Sequence, residues 1–336
     1  MIDFRYHLVS IVAVFLALAV GLIIGATALK PKTEQFFDTR SKQEEQRISA
    51  QGAQIRSLGS RLGSDEAAAK AYAPRLLDGL LTGQRAVLVT APGADASTIT
   101  GVTAALRQAG AVVTGQAELQ PSFFDTSAST QSSLTTLAQQ VAPPGVPLVV
   151  PTANAQIFGQ QEAAQVLASA LVTKNGADLP AQQTRKIVDE FRAQGFMNMT
   201  YEPGSAALSQ ATLAVVIIPA TQPSGDGASP ANRALLAVAQ QLEASSLGVV
   251  MAGSLPGSGT GSAIDELING GTRIQLSSVD DADSEFGQIQ VAQALSLWLT
   301  THKPTAFGVL AGAVPSPVPT PAPTSGRTSV KNKSGG

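Results

Sequence analysis

The longest uniform stretch of the chain is apolar. From Leu8 to Leu29 no residue is charged, and only Ser10 and Thr27 carry a hydroxyl. A helix rises about 1.5 Å per residue, so roughly 20 residues cover a hydrocarbon core of about 30 Å. Segment 1–30 is therefore long enough to span a bilayer, where a helix satisfies its own backbone groups. Two readings are open: a permanent anchor, or a signal peptide cleaved at the small residues Ala26-Thr27-Ala28. The apolar run exceeds the roughly 7–15 residues of a signal h-region, which favours the anchor.

Segment 31–81 predicts a helical stalk. Ile48, Ile55, Leu62, Ala69 and Leu76 recur at seven-residue spacing, which places them on one side of a helix. The companion position three residues on holds Gln51, Leu58, Asp65, Tyr72 and Gly79, so the seam is only half apolar. Gly52, Gly59 and Gly63 each cost up to about 1 kcal/mol of helix propensity, and Pro74 is expected to kink or end the helix. The pattern fits a weak parallel coiled coil, as a homodimer or with a coiled-coil heteropartner. It also fits a single helix packed on its own domain. For partner binding the seam residues are Ile48, Ile55, Leu58, Leu62, Ala69 and Leu76.

Segment 82–305 alternates short apolar runs with helical patterns. Runs at 86–90, 146–150, 213–218 and 247–251 each lead into Pro/Gly/Ser punctuation, and 111–113 starts a further strand. Between them lie amphipathic stretches at 97–110, 161–173, 181–194 and 230–244, with Gly110 placed as a helix stop. Strands alternating with helices imply βαβ units, and continuous rather than alternating apolar strands imply a sheet buried on both faces. The expected fold is α/β: a Rossmann-like or flavodoxin-like, mostly parallel sheet. A single-chain outer-membrane barrel needs many alternating segments of about 10 residues with aromatic girdles. With 4% aromatic residues and few such segments, the chain does not fit one. Segment 306–336, with its PSPVPTPAP run, is expected to be a disordered Pro-rich tail.

Composition narrows the chemistry. There is no cysteine, which removes disulfides, thiolate metal sites and cysteine nucleophiles. A net charge of −2 gives no footprint for a nucleic-acid partner. The Gly-rich stretch GSLPGSGTGS after the run 247–251 lacks the lysine of a phosphate-binding loop and an ordered G-x-G-x-x-G, so it is read as a flexible surface loop. The acidic cluster around Asp280, Asp281 and Asp283 has Phe286 where a calcium loop needs glycine; capping of the next helix by Asp283 or Ser284 is the simpler reading. Copper ligands are scarce. Two histidines, His7 and His302, and four methionines are present, of which Met197 and Met199 share a face in a strand and form the one candidate pair. Core packing competes with that role. No nucleophile elbow or plausible histidine base is present, so no enzyme activity and no cofactor are expected.

The ends of the chain carry a family resemblance. The opening MIDFRYHLVSIVAVFLALAVGLIIG, through Arg5, Tyr6, His7, Val9, Ser10 and the FLALAVG run at 15–21, resembles the start of the actinobacterial MctB-like copper transporter family. SSVDDADSEFGQIQVAQAL at 277–295 is similar to that family's acidic turn, Gly-Gln pair and helix. The resemblance implies a role in copper export or copper tolerance. The family also includes SteB-type proteins, which implies the alternative of a non-catalytic scaffold in cell division or control of peptidoglycan hydrolysis. Arg5, Tyr6 and His7 would mark the membrane boundary. The expected location is the cell membrane or envelope, single-pass, with the globular domain extracytoplasmic. A bare count of Lys30, Lys32, Arg40 and Lys42 against Arg5 points the other way, although the rule weakens for long translocated domains.

Overall fold

The computed structural model describes residues 4–146, 148, 155–174, 176, 178–201, 209–221, 228–270 and 275–314. They form two compact units, 1–65 and 66–336. Helix α1, Phe4–Leu77, is 74 residues long, so the expected anchor and stalk are one helix. It runs through Pro74 to Leu77 rather than stopping there. Ala73 and Leu77 are buried in the second unit and hold this last turn in place.

The second unit is built on a seven-stranded sheet in the order β3-β2-β1-β4-β5-β6-β7. The strands are β1 (Arg85–Thr90), β2 (Val112–Leu119), β3 (Met197–Tyr201), β4 (Leu213–Ile217), β5 (Gly248–Ala252), β6 (Ser277–Val279) and β7 (Ala306–Phe307). All neighbours are parallel except β3, which pairs antiparallel with β2 at one edge. The continuous apolar strands have the cause expected of them. In β1, Val87 and Val89 face one core while Ala86 and Leu88 face the other.

Helices α3 (Ala128–Val141), α4 (Phe158–Leu171), α5 (Ala181–Ala193) and α6 (Ala228–Ser245) cover the first face. Helix α2 (Ala96–Gln108), helix α9 (Glu285–Thr301) and the end of α1 cover the second. Gly110, at φ 91°, follows α2 and donates its amide to the Arg107 carbonyl, the helix stop its position suggested.

Two expectations change. The Gly-rich stretch is not a free surface loop. It contains a short helix α7 (Leu255–Ser258), precedes α8 (Ala263–Asn269), and buries Ser254, Ser258 and Ser262. Gly257 crosses so close to the end of β4 that a Cβ there would lie 2.0 Å from the Pro219 carbonyl oxygen. The tail does not begin at 306: β7 pairs with β6, and Phe307 is buried. Residues 315–336, where disorder was expected, lie outside the described residues, as does most of the run 146–150.

Candidate functional site

Strand order reverses at β1, which lies between β2 and β4. In open α/β sheets, ligands gather in the crevice beyond the carboxyl ends of the strands at this point. A cavity of about 200 Å3 occupies it. Ala91 and Pro92 reach it from the end of β1, and Pro121 and Phe124 from the short 3-10 turn after β2. Pro219 comes from the end of β4, and Ala231, Asn232 and Leu235 from the first turns of α6. No lining side chain is charged. An apolar cavity of about 150 Å3 accepts benzene, so this one has room for one ring or a short apolar segment.

A nucleotide phosphate would normally seat on the amides at the start of the helix after β1. Here Asp95 occupies that place. Its carboxylate accepts the Thr98 amide at 2.9 Å and bonds to the Ser97 hydroxyl. Those bonds, Ser97 foremost and the Thr98 amide next, hold its pKa below the usual carboxylate range. An anionic side chain thus covers the N terminus of α2, and the crevice is left apolar.

The acidic stretch after β6 organises α9. Ser284 is the cap, accepting the Gly287 amide at 2.8 Å. Glu66 of α1 accepts the Glu285 amide at 2.8 Å, and Lys70 lies 3.7 Å from Glu285. Asp280 is fully buried and accepts the Val309 amide at 2.9 Å and the Leu310 amide at 3.1 Å. Asp281 is 8% exposed, and its Oδ1 has no hydrogen-bond partner. Burial, followed by the charge of Asp280, pushes its carboxyl above the ordinary value. Gly287 passes so near this turn that a Cβ would fall 2.1 Å from the Asp281 carbonyl oxygen. Gln288 lies against Gly101 of α2. The acidic turn and Gly-Gln pair are therefore a joint between β6, α9 and α2. Among the described residues, no group of three or more His, Asp or Glu side chains is placed to hold a metal ion.

The family model described as "Copper transport outer membrane protein, MctB" matches residues 1–318. The chain belongs to the MctB family. Proteins named "Copper transporter MctB" from Mycobacterium tuberculosis and Mycobacterium bovis are each 25% identical over 300 residues, covering 88% of this chain and 92% of theirs. That of Mycobacterium leprae is 26% identical over 320 residues, covering 93% and 98%.

Within this MctB-family fold the residues singled out by sequence belong to two elements, α1 and β3. Met197 is fully buried in the first core, and Met199, half-buried, packs against the same core from the edge strand β3. Tyr6 and His7 are exposed at the start of Tyr6–Gly25, a stretch of α1 long and apolar enough to cross a membrane. Arg5 lies in the same helix. Ile48, Ile55, Leu58 and Leu62 are 56–70% exposed. Ala69 and Leu76 are partly buried against the second core.

The cavity was not found from the sequence, because its walls come from four segments spread over 91–235. The one available signal was a proline within two residues of three apolar runs or strand ends: Pro92, Pro121 and Pro219.

Proposed function

We propose that this chain is a single-pass, membrane-anchored envelope protein that supports copper export or copper tolerance by assembling with a partner through α1. In this reading the α/β domain does not itself conduct the metal. It has no catalytic role, takes no cofactor and stands on the extracytoplasmic side. The observation that carries it is the exposed seam Ile48, Ile55, Leu58 and Leu62 on the helix that also holds the apolar span Tyr6–Gly25. Four large aliphatic side chains in water favour burial against another helix by roughly 1.5–3 kcal/mol for each one fully covered. A membrane raises the local concentration of such partners and lets a marginal seam associate. The copper role rests on the names of the relatives. The scarcity of soft ligands supports assembly over direct carriage.

The same seam favours a second reading: a scaffold that controls cell division or peptidoglycan hydrolysis. One experiment separates them. Cell copper is measured in a strain lacking the chain, its parent and a complemented strain across a copper series, with septation scored in the same cultures. Copper accumulation with growth failure confined to high copper supports the first reading. Unchanged copper with failed septation in unsupplemented medium rejects it in favour of the second.

A further inference from the structure

We propose that the partner of the exposed seam on α1 is a second copy of this chain, paired in parallel and in register over 48–62. The inference deepens the assembly reading above and rests on it. It adds the identity of the partner, the direction of pairing and the register.

The seam side chains point to two parallel strands. In the seven-residue frame, Ile48, Ile55 and Leu62 take the a position, and Gln51 and Leu58 take the d position. All five are exposed on one continuous helix. β-Branched residues at a with leucine at d favour the parallel dimer over higher assemblies. Here Ile48 and Ile55 stand at a around Leu58 at d.

Register comes from the one polar layer. A glutamine amide both donates and accepts, so Gln51 of one copy satisfies Gln51 of the other when the two face each other. A slip of one heptad sets Gln51 against Leu58 and leaves its amide without a partner. A single polar residue in a seam specifies register in this way. Glu44 and Asp65 occupy the next d positions on either side. Each would meet its own copy there, so like charges confine the pairing to 48–62.

Charge also sets direction. Arg47, Gln54 and Arg61 form the row beside a, and Gly52 and Gly59 the row beside d. In a parallel pair the two rows face each other: Arg47 meets Gly52, Gln54 meets Gly59, and no like charges oppose. An antiparallel pair sets the row with both arginines against its own copy, where repulsion disfavours it. The apolar span Tyr6–Gly25 begins the same helix. Two copies anchored alike in one bilayer present 48–62 side by side, pointing the same way. Five layers make a short seam, and shared anchoring supplies the effective concentration it needs.

The chain has no cysteine, so single thiols report cleanly. Full-length single-cysteine variants in detergent are treated with a short thiol cross-linker, and covalent dimer is followed with time. Leu58→Cys lies in the seam and Ser60→Cys on the outer face; both positions are exposed. The proposal expects Leu58→Cys copies to couple at least tenfold faster than Ser60→Cys copies. Residues 48 and 62 are about 21 Å apart along the helix. Ile48→Cys copies should therefore couple to one another at least tenfold faster than to Leu62→Cys copies. Equal rates at 58 and 60 overturn the proposal, and so does preferred coupling of 48 to 62, which reports an antiparallel pair. Leu58→Cys is then cross-linked in membranes of the complemented strain. Coupling there to a different protein, with none between copies, overturns self-pairing and leaves assembly through α1 standing. Coupling to no protein at all removes both.

Discussion

Asp280 and Asp281 are adjacent in sequence and meet opposite fates. Asp280 spends both carboxylate oxygens on backbone amides and pins the segment after β7. Asp281 is buried beside it with Oδ1 unpaired, and its folded pKa is raised. The sign follows from linkage: the neutral form of Asp281 suits the fold, so its contribution is intact below the unfolded pKa near 4 and is lost as pH rises through the folded value. Asp281→Asn keeps a neutral group in place. It should raise Tm at pH 7 by about 2–4 °C, the response of a domain this size to about 1 kcal/mol, and the gain should vanish near pH 3. A thermal melt series across pH checks both parts; a gain that persists at pH 3 refutes the linkage. Gly287 answers to packing instead. Gly287→Ala drives a methyl against the Asp281 carbonyl and should cost about 1–3 kcal/mol, read from denaturant midpoints.

At the scale of elements, what the sequence made legible follows burial. Strands β1, β4 and β5 are buried on both faces and appeared as plain apolar runs. Helix α9 was marked by Ser284, and α2 by Gly110. Strands β6 and β7, three and two residues long, have no such run and were missed. The run 111–113 marked only the start of β2, which extends to Leu119 through Gln116 and Glu118, polar residues tolerated toward the end of a strand. The candidate site was invisible because a cavity belongs to the topology, not to any local pattern. The heptads of α1 were legible, but their partners differ along the helix. Ala69 and Leu76 meet the chain's own core, whereas Ile55 and Leu62 meet solvent. Ile55→Asp with Leu62→Asp should therefore leave the melting of the α/β unit unchanged. If the exposed seam self-associates, the pair of charges should weaken association at least tenfold, about 1.4 kcal/mol, by light scattering in detergent. Undiminished association would assign oligomerisation to another surface.

The whole molecule poses the question of where its folded part begins. Hydrophobic patterning put that point at 82, after a separate stalk, whereas compactness puts it at Glu66. The difference is physical. Residues 66–81 supply Leu77 and Leu81, both fully buried, and Ala73 beside them. They also supply Glu66, which holds the first amide of α9, and the Leu81 amide, bonded to the Ala109 carbonyl at 2.8 Å. Two buried leucines alone are worth about 3–6 kcal/mol. A domain has only about 5–15 kcal/mol of net stability, so losing these turns removes much of the margin and strips the cover from α2 and α9. A fragment spanning 66–314 should fold and melt cooperatively, with a Tm within a few degrees of the α/β transition in the full chain. A fragment spanning 82–314 should be unfolded or melt far lower, and should bind a hydrophobic dye that the longer one excludes. Circular dichroism melts of the two fragments make the comparison directly. If they melted alike, the last turns of α1 would be an appendage. If they differ as expected, the helix that carries the apolar span is also part of the domain's core. Within that core, Glu66 and Lys70 both contact Glu285 at the start of α9.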